Sequence, residues 1–243
     1  MWFQPLWPAS DWVIAGTSSR LGGMSAAPYH GLNLATHVGD DPHRVGANRE
    51  KFTRVLGLPG ELCWLNQVHG QQLVSASHCQ PGMAADGIYT VKKRQVCSVM
   101  TADCLPVLLT DSMGTMVAAA HAGWRGLYAG ILEQAVKLFL CKPENLWVWF
   151  GPAIGSRNYV VGGELKDKFI KKNAEFADCF TKNQQQLGYH ADLYAIAKMS
   201  LRKLGVRKFY GDEFCTFDNA KWFYSFRRDG PTGRMLSFIY LQA

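Results

Sequence analysis

Residues 98–128, SVMTADCLPVLLTDSMGTMVAAAHAGWRGLY, are the stretch on which both the fold and the chemistry of this chain depend. Two short apolar runs, 105–110 and 115–120, flank the tetrapeptide DSMG. Aspartate in its first position and glycine in its fourth are typical of a type I turn. The stretch therefore predicts a β-hairpin made of two buried strands.

This hairpin is expected to bring two reactive side chains together. If Thr110 pairs with Thr115, then Cys104 lies opposite His121 at the open end of the hairpin. Directly opposed residues of an antiparallel pair share a face, with Cβ atoms about 4.5–5.5 Å apart, so the two side chains can reach one metal ion or exchange one proton. The prediction depends on register, because a three-residue loop or a bulge would shift the pairing by one.

The remaining sequence predicts an α+β fold with a mixed, largely antiparallel β-sheet and flanking helices. Residues 1–243 are expected to form a single domain, since the chain contains no long linker, low-complexity segment or repeat. The Asp41-Pro42 pair and Gly57 are good helix start and stop signals. The helices are expected over 42–56, 127–140, 164–180 and 193–204, and the strands over 12–15, 31–38, 63–68, 88–91, 95–100, 105–110, 115–120, 146–150, 206–210, 222–226 and 235–240.

Composition excludes several classes of protein. No apolar run approaches the roughly 18 residues that span a bilayer, and the first residues, MWFQPLWPASDW, lack the basic start of a signal peptide and contain Pro5 and Pro8. We therefore expect a cytoplasmic protein. The seven cysteines are an odd number without a C-x-x-C pair, which argues against a disulfide framework and a zinc ribbon and favours mostly buried thiols. The net charge of +7 suits anionic partners, but the basic residues are scattered.

Four further residues are candidates for binding. Arg49 falls inside the apolar stripe of the helix predicted over 42–56, so its charge needs a partner, either a structural carboxylate or an anionic ligand. Asn33 and His37 would share the polar face of the strand predicted over 31–38, which faces either solvent or substrate. Arg125 lies in a glycine-flanked loop that opens a helix, a natural anion site.

Cys104 and His121 permit two kinds of chemistry. With a third ligand, for which His69 is the best choice at the end of its predicted strand, they form a catalytic zinc site with one open position. Without a metal they form a thiolate and general base pair, as in cysteine hydrolases. Copper also uses such a donor set, but the seven histidines contain no H-x-H pair, so any oxidase activity would rest on one metal and would be weak.

Several segments resemble a known family across nearly the whole chain and in the right order. They are GLNLATHVGDDP, ANRE, LNQVHG, MTADCLPVLL, AHAGWRGL, GPAIG and FRRDGPTGR. They resemble the YfiH-type family, long labelled multicopper polyphenol oxidase or laccase domain proteins, and the TADC and HAGWRG segments are its most specific motifs.

The resemblance implies a metal held by His69, Cys104 and His121, with zinc as the usual ion and copper as an alternative. It implies a purine nucleoside phosphorylase that acts on adenosine, inosine, guanosine or methylthioadenosine, with adenosine deamination in some members. Editing of peptidoglycan precursors is a further role of bacterial relatives, and the fold resembles that of deamidating toxins that use a cysteine and a histidine. Nucleoside and phosphate are the expected partners of a monomer or homodimer, with neither nucleic acid nor membrane.

The resemblance also bears on the substrate residues. Arg49 matches the arginine of the family's NR motif and is predicted to bind phosphate or ribose, with Arg125 nearby and Asn33 in the substrate wall. Relatives often carry a glutamate where Val160 follows Tyr159 here, so a role for that carboxylate is not expected in this chain. The alternatives to the phosphorylase are a metal-free Cys/His amidohydrolase, a weak copper-dependent polyphenol oxidase and a basic nucleic-acid-binding protein.

Overall fold

The predicted hairpin forms the centre of a six-stranded sheet in the computed structural model, which describes residues 2–242. Its outermost strands on either side run parallel to their neighbours, and the other pairs are antiparallel. The strands, in spatial order, are β12 (Lys208–Gly211), β8 (Leu146–Phe150), β6 (Leu105–Asp111), β7 (Val117–Ala122), β4 (Gly87–Thr90) and β3 (Leu73–Ser75).

Two further sheets are antiparallel throughout. The four-stranded sheet contains β1 (Trp2–Phe3), β2 (Val13–Ser18), β13 (Met235–Leu241) and β5 (Cys97–Thr101) in that order. The three-stranded sheet contains β10 (Phe180–Lys182), β11 (Tyr189–Ala191) and β9 (Val160–Val161). The helices are α1 (Pro42–Leu56), α2 (Trp124–Ala129), α3 (Ile131–Leu138), α4 (Gly163–Lys172), α5 (Leu193–Lys203) and α6 (Phe226–Asp229).

Alternation along β6 shows how the layers pack. Leu105, Val107 and Leu109 join the core that contains buried residues of α3 and α5, whereas Leu108 packs between the two larger sheets with Val99. The opposite face of the four-stranded sheet packs against α1. The order of layers is therefore α1, four-stranded sheet, six-stranded sheet, and α3 with α5, which confirms the predicted α+β class with mostly antiparallel pairing.

The predicted register of the hairpin is wrong by two residues. Thr110 pairs with Val117 rather than Thr115, and His121 pairs with Pro106 rather than Cys104. The reason is the Asp111 carboxylate, which accepts hydrogen bonds from the backbone N–H groups of residues 113, 115 and 116 and keeps them in the loop. A shift of two preserves the face of each side chain, so Cys104 lies diagonally across from His121 on the side of the sheet that carries Val117 and Ala119.

Several other elements differ from expectation. Residues 31–38 and 63–68 form no strand and make only isolated bridges at Gly31 and Asn66. Residues 222–226 were expected in a strand, but this segment runs into the short helix α6. The helix expected over 127–140 is two helices broken at Gly130, whose φ of 101° ends one and starts the next, and the helix expected over 164–180 becomes a 3-10 helix, Ala174–Cys179, after α4.

The cysteines also depart from the prediction of mostly buried thiols. Cys63 and Cys79 form a disulfide between two irregular segments that are 16 residues apart in sequence. Of the free thiols, Cys97 and Cys179 are buried, whereas the remaining three, at 104, 141 and 215, are only partly buried. Within residues 2–242, none of the helices combines the length and the apolar character that crossing a lipid bilayer requires.

Candidate metal centre and active-site cleft

His69, Cys104 and His121 come together at one end of the central hairpin. One ligand atom from each residue lies within 4.8 Å of the other two. His121 is the fifth residue of β7 and is 3% exposed, Cys104 directly precedes β6, and His69 lies in the irregular segment before β3. Two imidazoles and one thiol therefore face a common point, and such a group could hold a metal ion.

Asp86 organises this cluster from behind. Its fully buried carboxylate lies 2.8 Å from Nδ1 of His121. It also accepts the backbone N–H groups of Val68, His69 and Gly70 at 2.6–3.2 Å. The Nδ1 contact leaves Nε2 of His121 for the cluster, and the backbone contacts fix the loop that carries His69.

Two residues of the cluster region have strained backbones. His69 has a φ of 60° and Asp103, the neighbour of Cys104, a φ of 95°. A non-glycine residue in this region costs about 1–3 kcal/mol and persists only where surrounding contacts determine it. Asp103 has such contacts, because its carboxylate accepts Oγ1 of Thr216 at 2.6 Å and the backbone N–H of Arg227 at 2.7 Å.

The surroundings of Cys104 and His121 shift their pKa values in opposite directions, towards a thiolate beside a protonated imidazole. Burial alone would raise the pKa of Cys104, but the charges and hydrogen bonds of His121 and His69 lower it below that of an ordinary thiol. Burial likewise disfavours charged His121, yet the Cys104 thiolate and the Asp86 carboxylate raise its pKa. Burial would also raise the pKa of Asp86, but hydrogen bonds from His121 and Gly70 hold it below its usual value. A thiolate ready to bind a metal or attack an electrophile is the result.

The cluster lines a cleft of about 420 Å³, a size within the roughly 300–1,000 Å³ of small-molecule sites. We call His69 and His121, with Asp86 behind them, the histidine wall, and Asp103, Arg227 and Arg234 the arginine wall. The lining is completed by several further residues, among them His37, Gln67, Thr101, Tyr159 and Phe226. Phe226 is 56% exposed, so the cleft offers an aromatic surface as well as charge.

Arg49 lies behind this lining. Its Nε donates to the carbonyl of Leu34 at 2.8 Å, and its guanidinium lies 3.6 Å from the centre of the Trp64 ring. Burial lowers the pKa of Arg49 to about 10. No ion pair in residues 2–242 includes it, so the structural carboxylate considered from the sequence is not its partner. Its positive charge still reaches the cleft, since it contributes with Arg234 to lowering the pKa of His37, for which burial is the main cause.

Asn33 does not line the cleft, in contrast to the predicted place in the substrate wall. Its side chain is fully buried and is occupied by internal hydrogen bonds. Nδ2 donates to Ala35 and Asp40, and Oδ1 accepts the backbone N–H of Arg234 at 3.0 Å. Asn33 therefore contacts the backbone of Arg234, a residue that does line the cleft.

Arg125 is exposed, and its guanidinium lies 4.5 Å from the centre of the adjacent Trp124 ring. It does not line the cleft, but it is close enough for its charge to act on Tyr159. Arg227 donates to the carbonyl of Val160 at 2.9 Å, the position at which relatives were expected to carry a glutamate.

Sequence reasoning missed Asp86, Arg227 and Arg234 as site residues. The only local signal for Asp86 is a carboxylate between Ala85 and an apolar strand, a pattern that is also typical of a turn. The two arginines belong to FRRDGPTGR, a segment noted for its resemblance without any role for single residues. Their position opposite Cys104 depends on contacts across more than 100 residues of sequence.

With this geometry established, comparisons with known proteins identify the class. Residues 14–242 match the family described as multi-copper polyphenol oxidoreductase laccase, and the chain belongs to that family. Two of its curated relatives are named for a different activity from the one in the family description. Purine nucleoside phosphorylase YfiH of Escherichia coli is 44% identical over 98% of this chain and 97% of its own length, and purine nucleoside phosphorylase of Haemophilus influenzae is 42% identical over 98% of each.

Solved structures agree with the fold. Protein NMB0706 of Neisseria meningitidis, described as a DUF152 protein, has a TM-score of 0.94 and 41% identity and covers 100% of this chain and 99% of its own. YlmD from Geobacillus stearothermophilus has a TM-score of 0.89 and 29% identity and covers 100% of this chain and 96% of its own.

Proposed function

We propose that this chain is a zinc-dependent purine nucleoside phosphorylase. One observation carries the proposal, namely that the His69, Cys104 and His121 cluster lines the same cleft as two arginines, Arg227 and Arg234. The printed names of full-length relatives at 42–44% identity support the same activity. Adenosine, inosine, guanosine and methylthioadenosine are the expected nucleosides, and inorganic phosphate is the second substrate.

The donor set fits zinc. Zinc binds imidazole nitrogen and thiolate sulfur, and one such atom from each of the three residues lies within 4.8 Å of the other two. His69, Cys104 and His121 would hold the ion, and Asp86 would orient His121. Three protein ligands leave one position open, as in catalytic rather than structural zinc sites. When bound, the metal supplies a Lewis acid for an oxygen or nitrogen of the substrate; copper is the alternative occupant.

The arginines supply positive charge for the phosphate substrate. Phosphate carries negative charge into a cleft that presents Arg227 and Arg234, with Arg49 and Arg125 adding positive charge from outside the lining. A phosphate oxygen forms a bond to the anomeric carbon of ribose while the bond from that carbon to the purine nitrogen breaks. The electron pair leaves with the nitrogen, which takes up a proton, and the products are the free base and ribose 1-phosphate.

The arrangement of Cys104, His121 and Asp86 also supports a second activity. A thiolate, an imidazole and a carboxylate in hydrogen-bonding sequence form the triad of many cysteine hydrolases. A metal-free amidohydrolase acting on peptidoglycan precursors would use the same atoms. The two activities differ in one chemical property, since a thiolate that binds zinc is shielded from alkylation whereas a free nucleophile is not.

The test is base release from a panel of purine nucleosides, with and without phosphate, by protein whose metal content is measured on the same sample. We expect release only with phosphate and close to one zinc per chain. Ammonia release from adenosine in the same assay tests the deaminase activity. Release at equal rates without phosphate would indicate a hydrolase, and stoichiometric alkylation of Cys104 in metal-loaded protein would favour the amidohydrolase.

A further inference from the structure

The C-terminal segment FRRDGPTGR contains three arginines in different surroundings. Arg228 is paired within the protein, because its Nε and Nη2 donate to the carboxylate of Asp229 at 2.8 and 2.7 Å. Its Nη1 donates to the carbonyls of Thr216 and Phe217. A bidentate carboxylate and several carbonyls use its donors, so Arg228 holds the loop together and has little capacity for a ligand.

Arg234 is held just as firmly but is not neutralised. Its Nη1 donates to the carbonyls of Thr232 and Gly233 at 2.8 and 3.0 Å. Its backbone N–H donates to Asn33. Within residues 2–242 it forms no ion pair, and the hydrogen bonds of its side chain all come from Nη1. A half-buried guanidinium that lines a cleft without a carboxylate partner is expensive unless an anion binds there.

We propose that Arg234 binds the phosphate cosubstrate through its Nε–H and Nη2–H groups, an inference that rests on the proposed phosphorylase function and names the anion-binding residue of that site. The guanidinium donors form a planar fork that matches two oxygens of a phosphate, which a lysine cannot reproduce. The contacts of Nη1 and the backbone fix the fork in place before phosphate arrives, so little side-chain entropy is lost on binding.

The surroundings of Arg234 agree with this assignment. Its charge contributes to lowering the pKa of His37, so the two side chains act on the same part of the cleft. The Cys104 thiolate and Asp103 are close enough to influence Arg234 in turn, although burial lowers its pKa overall. Arg234 lines the same cleft as the metal cluster, and its guanidinium lies 5.9 Å from the centre of the Phe226 ring. Phosphate bound at Arg234 would therefore share this cleft with the cluster.

Arg227 provides a matched control in the same cleft. It is exposed, its Nη1 donates to the carbonyl of Val160, and its guanidinium lies 5.1 Å from the centre of the Tyr159 ring. Removing it takes away the same charge from the same wall but not the anchored fork. A purely electrostatic contribution would make Arg227 and Arg234 equivalent, whereas directed binding would not.

The experiment measures KM for inorganic phosphate and KM for inosine in wild-type protein and in R234Q, R234K and R227Q, with zinc content and thermal unfolding of each. Loss of charge-assisted hydrogen bonds worth about 1.5–3 kcal/mol predicts that R234Q raises the phosphate KM about 10–100-fold. R234K should lie between R234Q and wild type. R227Q, which removes charge from the same cleft without removing the anchored fork, should raise the phosphate KM less than R234Q does. KM for inosine and the zinc content should change little.

Each outcome separates the two proposals. If wild-type protein releases base only with phosphate and R234Q leaves the phosphate KM unchanged, the assignment of Arg234 is wrong while the phosphorylase proposal stands. Equal effects of R227Q and R234Q also overturn the assignment. If wild-type protein does not use phosphate, the phosphorylase proposal fails and the assignment fails with it. Should R234Q not fold, R234K decides, because a folded R234K with the wild-type phosphate KM contradicts directed binding.

Discussion

The two walls of the cleft each contain a buried carboxylate and a residue with positive φ, His69 on one wall and Asp103 itself on the other. The two carboxylates bind different groups. On the histidine wall, Asp86 contacts a side chain of the metal cluster and the backbone on both sides of His69. On the arginine wall, Asp103 accepts a hydroxyl from Thr216 and a backbone N–H from Arg227. The first carboxylate contacts the imidazole of a metal-cluster residue, whereas the hydrogen bonds of the second hold the chain in place.

This difference teaches that burial and hydrogen bonding alone do not define a functional carboxylate. Both aspartates hold a strained segment in place. What separates them is the partner, since an imidazole changes its proton position in response to a carboxylate and a backbone N–H does not. The two carboxylates can be compared through variants of each, by measuring the zinc affinity of the cluster in competition with a chelator.

Removing a ligand should have the largest effect. We expect H69A, C104A and H121A each to lose bound metal and to lose nucleoside phosphorolysis, because two remaining donors cannot make a stable site. Elemental analysis and base release measure the two effects. H78A is the control, since His78 is exposed and lies outside the cleft. Full metal occupancy in any of the three variants would contradict the assignment of that ligand.

D86N should have the next largest effect. An asparagine oxygen can accept from the backbone, but the neutral amide no longer holds a proton on Nδ1 of His121, and its NH₂ group faces N–H donors. Loss of such an outer partner costs about 10–100-fold in metal affinity. Chelator competition at constant pH measures it. An affinity within threefold of wild type would show that the histidine wall needs no carboxylate, and the contrast between the walls would disappear.

Local signals in the sequence predicted some of this structure to the residue. Helix α1 spans Pro42–Leu56 as expected, because Asp41 caps it through the N–H of His43 and Gly57 ends it in a left-handed conformation. Both signals act within one turn of the helix and need no distant partner. The strand Leu146–Phe150 was also found at its predicted ends.

The errors arise where distant contacts decide the structure. Leu32 and Leu34 are buried as their alternation suggested, but they pack as an irregular segment in the core with Phe52 and Phe238 rather than pairing in a sheet. Alternation of apolar and polar residues indicates that one face of a segment is buried. It does not show that a neighbouring strand has free backbone groups with which the segment can pair. A composition rule for cysteine likewise could not find the disulfide, which depends on how two loops lie in space.

The cluster itself was found for a partly wrong reason. The predicted register placed Cys104 opposite His121, and the observed one places Pro106 there. The prediction of proximity survived because the error was an even number of residues, which preserves the face of every side chain. An odd error would have separated the two residues, and the sequence contains no signal for the extra hydrogen bonds of Asp111 that set the loop length.

G123A should reduce zinc affinity less than D86N does. It tests how closely Gly123 packs against two of the proposed ligands, Cys104 and His69. A Cβ atom on Gly123 would lie 2.8 Å from Sγ of Cys104 and 3.4 Å from Cδ2 of His69, so the thiol must move. We expect about a tenfold loss of zinc affinity, less than the hundredfold that a misplacement of roughly 1 Å can cost catalysis. G162A is the matched control, because Gly162 also precedes a helix and has no atom within 4 Å of its Cβ position. Equal zinc affinity for both variants would show that the contact is not restrictive.

D103N should change zinc affinity least, by less than about threefold, because its carboxylate touches no ligand side chain. The amide still accepts one hydrogen bond, but its NH₂ group meets either the Thr216 hydroxyl or the N–H of Arg227. The free energy of unfolding should fall by about 1–3 kcal/mol, the cost of a buried hydrogen bond to a charged group that is left unmade. Urea denaturation measures the stability, and chelator competition on the same sample measures the metal. A zinc affinity reduced as far as in D86N would show that both carboxylates control the cluster. In that case a displacement of the Asp103 backbone would be passed on to its neighbour Cys104.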